Sequence, residues 1–82
     1  MVPPSPPSSL DDAFGQVLRE LRTAAGMSQE ALSLACGRHR TYVSLLERGH
    51  NSPSLNTIWR LADALGVSPA EMVRRVEALS PR

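Results

Sequence analysis

The sequence contains no lysine, only one cysteine and no long hydrophobic run. A single cysteine excludes an intrachain disulfide, and small secreted domains are more often dense in cysteine. The N-terminus carries neither a basic segment nor an apolar one behind it, so no secretory signal is read there. No apolar stretch approaches the ~18 residues of a membrane span. A chain of 82 residues makes one domain at most. At this size only ~60–65% of the unfolded surface is buried, which leaves no room for a catalytic cleft between layers. Ser, His and Asp all occur, but none in a nucleophile motif, so no enzyme is read here. His39 and His50 have no cysteine or carboxylate to complete a zinc set and read as surface histidines. These exclusions leave a soluble, cytoplasmic domain without metal or cofactor. The absence of lysine beside nine arginines is taken as composition rather than mechanism.

The net charge of +1 argues for nothing, but its distribution does. The segment CGRHRTYVSLLERGH, residues 36–50, holds three arginines against one glutamate. The rest holds six arginines against seven acids. Positive charge is therefore concentrated in one short stretch that also carries an apolar spine.

Residues 1–9, MVPPSPPSS, contain four of the seven prolines. Proline fixes φ and donates no N–H, so an extended, solvated tail is expected in preference to a PxxP-type ligand. The remainder, 10–80, reads as one all-α domain of five helices. Phe14, Val17, Leu18 and Leu21 follow one buried stripe over 11–25, with Asp11 and Asp12 at the positive end and Gly26 at the close. The second helix spans 28–36, with Ser28 as N-cap and Leu32, Ala35 and Cys36 inward. The third spans 39–48, with Val43 and Leu46 inward. The fourth spans 55–65 behind an N-cap at Ser54, with Leu55, Ile58, Trp59, Ala62 and Leu65 as its apolar face. SPAE, 68–71, reads as a capping box that opens a fifth helix, whose stripe is Met72, Val73, Val76 and Leu79.

Two short helices joined by a tight glycine turn, the second one basic, suggest a helix-turn-helix. In QEALSLACGRHRTYVSLLER, residues 29–48, small Ser33 sits at the fifth place and Gly37 at the ninth, where the turn needs φ > 0. On these residues, and on LRELRTAAGMSQEALSLACG and SPSLNTIWRLADALGVSP to either side, residues 18–69 resemble the lambda-repressor-like, Cro-type helix-turn-helix regulators. RTYVSLLERG also resembles the recognition segment of restriction–modification controller proteins.

The resemblance implies a transcriptional regulator that binds double-stranded DNA with the third helix in the major groove. It places Arg40, Thr41, Ser44, Leu45 and Arg48 towards the bases. An arginine there can hold a guanine in bidentate fashion, worth ~1–3 kcal/mol of discrimination. Ser28 and Gln29 would meet a phosphate at the start of the second helix, joined by Arg38, His39, Tyr42, Asn51 and Ser54 as further backbone contacts. Arg38 departs from the apolar residue usual after the turn glycine, and His39 from the usual Ser, Thr or Asp cap. The resemblance also implies an Arg22–Glu47 ion pair fixing the third helix to the first, against the alternative of two solvated charges.

Relatives dimerise through the C-terminal end, so a homodimer is expected, with Trp59, Leu65, Met72, Val73 and Val76 as interface candidates. Its half-sites would lie ~34 Å apart on a near-palindromic operator. Such a protein would control a nearby operon, its own among the candidates, as a controller or a phage-type repressor. Cys36, at an apolar helix position, reads as a buried thiol rather than a redox sensor. The alternative in another class is an antitoxin-like module that holds a partner protein.

Overall fold

A computed structural model of the chain describes residues 6–81. Five helices follow one another: α1 (Leu10–Ala24), α2 (Gln29–Ala35), α3 (Tyr42–Glu47), α4 (Leu55–Leu65) and α5 (Pro69–Leu79). The described residues contain no strand. The tail expected over 1–9 lies outside the described residues as far as position 5. Its last two serines belong to the helix start instead. Ser8 N–H donates to Asp12 Oδ2 at 3.0 Å, and Ser9 Oγ accepts the Asp12 N–H.

Serine opens four of the five helices. Ser9, Ser28, Ser54 and Ser68 each accept the N–H of the residue three places on, satisfying a donor that the helix cannot. At α5 only this half of the expected capping box forms, because the Glu71 carboxylate turns to Arg74 and Arg75. The exception is α3, whose N-cap Thr41 makes no side-chain cap bond.

Each helix contributes one large, fully buried side chain to a single core: Leu18, Leu32, Leu46, Leu61 and Met72. α1 packs against α3 and α5, α2 bridges α3 and α4, and α4 meets α5. The helix-turn-helix is thus held from behind by α1 and α4.

Several expectations shift in detail. Ala35 is exposed rather than inward. On α4 the core is entered by Leu61, Ala62 and Thr57, while Leu55 and Trp59 stand out at 67% and 56% exposure. The helix carries apolar residues on more than half its girdle. The stripe Ile58–Leu61–Ala62–Leu65 won over the one running through Leu55 and Trp59. On α5, Met72 and Val76 are core residues and Val73 is exposed. Met72 is fully buried within the protomer, so it is not part of any interface. Val76 is 7% exposed and forms the floor of a groove with Leu10, Phe14, Ile58 and Val73.

Candidate nucleic-acid interface

The glycine at position 37 adopts φ +71°, a left-handed conformation that costs an L-residue but not glycine. It ends α2 by sending its N–H to Leu34 O, while Arg38 N–H returns to Ser33 O. The chain then makes a further turn before α3. His39 O accepts the Tyr42 N–H at 2.9 Å, His39 Nδ1 lies 3.0 Å from Thr41 Oγ1, and it faces the Thr41 N–H at 3.4 Å. The Tyr42 N–H, which a helix from residue 39 would have sent to Arg38 O, is thus taken by His39 O. α3 therefore begins at Tyr42, and Arg40 and Thr41 sit on the turn ahead of it rather than on its first positions.

α3 is short, and three contacts fix it. The first is Ser33 on α2, fully buried. Its Oγ donates to Gln29 O at 2.8 Å and accepts the Val43 N–H at 3.0 Å. The second is Gly15 on α1. A Cβ there would lie 2.5 Å from Leu46 O and 2.7 Å from Glu47 O, so only glycine lets the two backbones approach this closely. The third is Glu47, whose side chain is 2% exposed. It accepts from Arg22 Nε at 2.6 Å and Nη2 at 3.1 Å, and from Gln29 Nε2 at 3.0 Å; Arg19 Nε approaches to 3.5 Å. Arg22 also donates to Met27 O at 2.9 Å. The hydrogen bond to Glu47 is the main cause that raises the Arg22 pKa above its ordinary value, against the opposing effect of burial. The one acid in the cationic segment is therefore buried and neutralised by residues of α1 and α2.

Gln29, half-buried at the start of α2 beside the cap Ser28, donates one side-chain N–H to Glu47. The Arg38 guanidinium lies over the Tyr42 ring, 4.3 Å from the centroid, a cation–π contact that neither residue's spacing signalled. Arg40, Thr41 and Arg48 are exposed, as are His39, Asn51 and Ser54. Ser44, Leu45 and the core-packed Tyr42 are half-buried. Arg48 Nε folds back to Ser44 O at 3.3 Å.

The electrostatics of this face follow from the sequence once Glu47 is inside. From residue 31 to 62 there is no other acid, and there are four arginines: Arg38, Arg40, Arg48 and Arg60. Among the described residues the ion pairs use Arg19, Arg22, Arg74 and Arg75, whereas Arg38, Arg40, Arg48 and Arg60 have no carboxylate within 4.0 Å. Cys36 is buried behind the turn. Burial raises its pKa, and Arg60 and Arg38 pull it part of the way back. Among the described residues no group of His, Cys, Asp and Glu is placed to hold a metal ion, and no helix is long and apolar enough to cross a membrane.

Known proteins share this organisation. A family model for the helix-turn-helix (HTH_3) matches residues 18–72. The control protein C.BamHI of Bacillus amyloliquefaciens is 44% identical over 61 residues, which are 73% of this chain and 75% of that protein. The crystal structure of the restriction-modification controller protein C.AhdI from Aeromonas hydrophila superposes with a TM-score of 0.72 at 50% identity, over 76% of this chain and 94% of that one. The clp gene regulator ClgR from Corynebacterium glutamicum superposes with a TM-score of 0.82 at 30% identity, over 89% of this chain and 78% of that one. The chain belongs to the helix-turn-helix family of lambda-repressor-like, DNA-binding transcriptional regulators.

Proposed function

We propose that the protein is a sequence-specific regulator of the restriction–modification controller type, acting in the cytoplasm as a homodimer on a near-palindromic operator. The observation that carries this reading is the acid-free surface between residues 31 and 62. Among the described residues its four arginines are without carboxylate partners, and its single glutamate is turned into the core. A face of this kind suits a polyanion, while the rest of the chain, slightly acidic in sum, does not bind it indiscriminately.

In this reading α3 and the turn before it enter the major groove. Arg40 and Arg48 reach base edges, with Thr41 and Ser44 beside them and Leu45 against a thymine methyl. Ser28, Arg38, His39, Tyr42, Asn51 and Ser54 meet the backbone and set the register. The start of α2 brings its free N–H groups to a phosphate. The second copy is held by the apolar residues that one protomer leaves exposed on α4 and α5, Leu55, Trp59 and Val73, with Leu65 at their edge. The resemblance to control proteins supports a regulated site near the protein's own gene.

The test is a binding titration with the duplex upstream of that gene against a scrambled duplex, at two salt concentrations. Affinity for the upstream duplex that survives added salt better than the scrambled control supports the reading. Equal collapse on both duplexes leaves only backbone attraction and overturns sequence specificity. Arg40→Ala should relax preference at one position per half-site.

A further inference from the structure

Arg60 lies outside the helix-turn-helix, on the second turn of α4, yet its guanidinium reaches back to the turn between α2 and α3. Nη1 donates to Cys36 O at 3.3 Å and would stand 3.2 Å from a Cβ at Gly37, so the glycine also makes room for the arginine. Across the turn stands Arg38. Between them opens a cavity of about 210 Å³, lined by Gly37, Arg38, Ser54, Asn56, Thr57 and Arg60. Its charged and polar lining residues are two arginines, a serine, a threonine and an asparagine. The lining includes no carboxylate, and among the described residues neither arginine has one elsewhere.

A guanidinium at the edge of a polar cavity, with a second arginine in the lining and no counter-ion among the described residues, is complementary to an anion. A metal ion would find no anionic ligand there. The cavity adjoins Arg40 through the chain, so an anion in it would sit next to the segment that reads bases.

We propose that this cavity is a phosphate site in which Arg60 receives one phosphodiester group of the DNA backbone, making Arg60 a DNA ligand supplied by α4. Arginine suits the task because its planar fork can serve the Cys36 carbonyl with one nitrogen and a phosphate oxygen with the others. The proposal rests on the DNA-binding reading above and adds one contact to it.

The experiment compares wild type, Arg60→Gln and Arg60→Lys on the upstream and scrambled duplexes across a salt series. Arg60→Gln keeps an amide donor for the Cys36 carbonyl and removes the charge; Arg60→Lys keeps the charge. A melting curve for each variant reports the turn separately. In wild type, log K falls with log salt. In Arg60→Gln the slope should become shallower by about 0.9 per protomer bound, the amount released by one phosphate contact. That is a loss of about threefold in salt sensitivity per contact between 50 and 200 mM salt. The ratio between the two duplexes should hold, and Arg60→Lys should keep the wild-type slope. A single neutral methylphosphonate at the contacted position should weaken wild type and leave Arg60→Gln unchanged. An Arg60→Gln slope equal to wild type, or a methylphosphonate effect equal in both, overturns the proposal while DNA binding stands. A wild type that binds neither duplex overturns the DNA reading itself, and the proposal with it.

Discussion

Ser33 caps a helix to which it does not belong. Its hydroxyl, fully buried on α2, accepts the N–H of Val43, the second residue of α3, at 3.0 Å. That is the donor which an N-cap side chain would ordinarily satisfy. The other four helices are capped by their own serines; α3 takes its cap from its neighbour and so cannot form apart from it.

Ser33→Ala keeps the small size that lets α2 and α3 approach but leaves the Val43 N–H buried and unpaired. A loss of about 1–3 kcal/mol is expected, with a fall in Tm of about 4–8 °C for each kcal/mol in a domain of this size. Thermal melting followed by circular dichroism reads it. A melting curve unchanged from wild type would mean that size alone matters at this position.

Glu47 joins three helices at once. Glu47→Ala leaves Arg22 half-sheltered beside Gln29 with no counter-charge, and a loss of about 3–5 kcal/mol is expected for breaking such a pair from one side. Glu47→Gln preserves shape and should recover only part of that. Urea unfolding of the two variants separates charge from packing, and two variants as stable as wild type would reduce the pair to a surface contact.

Gly15→Ala sets two effects against each other. Alanine favours the helix by up to about 1 kcal/mol, but its Cβ would lie within 2.7 Å of two backbone carbonyls of α3. Backbone cannot swing aside as a side chain can, and overpacking of this kind costs about 1–3 kcal/mol. The net expectation is a destabilised protein with weakened DNA binding, because α3 is pushed outward. A variant more stable than wild type would show that the helices slide apart freely.

Trp59 is exposed in the protomer, so Trp59→Ala should leave the fold within about 0.5 kcal/mol of wild type when unfolding is measured on the monomer. If Trp59 anchors the second copy, the same change should weaken the dimer by 2 kcal/mol or more, about thirtyfold. Sedimentation equilibrium over a concentration series distinguishes the two. An unaltered dimer constant would move the interface away from α4.

The stop signals of the fold were legible because they are local. Glycine at φ > 0 and serine at a cap act on the residues beside them. The start of α3 was not legible, because its cap comes from Ser33 and the preceding turn is held by His39, a residue that propensity does not single out. The bounds of α4 were legible but its buried face was not, because apolar residues surround more than half of it and the packing of α2 and α5 decides which enter. The role of Gly15 leaves no trace in periodicity. It follows from two backbones meeting, and an isolated glycine inside a helical pattern was its one available signal. The hydrogen bond from Gln29 to Glu47 likewise depends on where Glu47 lies in space.

The three attachments of α3 all point inward: Ser33 to its first turn, Gly15 to its last carbonyls, Glu47 to the helices behind it. None of them uses Arg40, Thr41, Ser44 or Arg48. The exposed arginines that would read an operator, Arg40 and Arg48, can thus be exchanged without touching these three attachments. The same frame can serve as a chassis for new target sequences, whether reached by drift between one host and the next or by deliberate redesign of the base-facing residues.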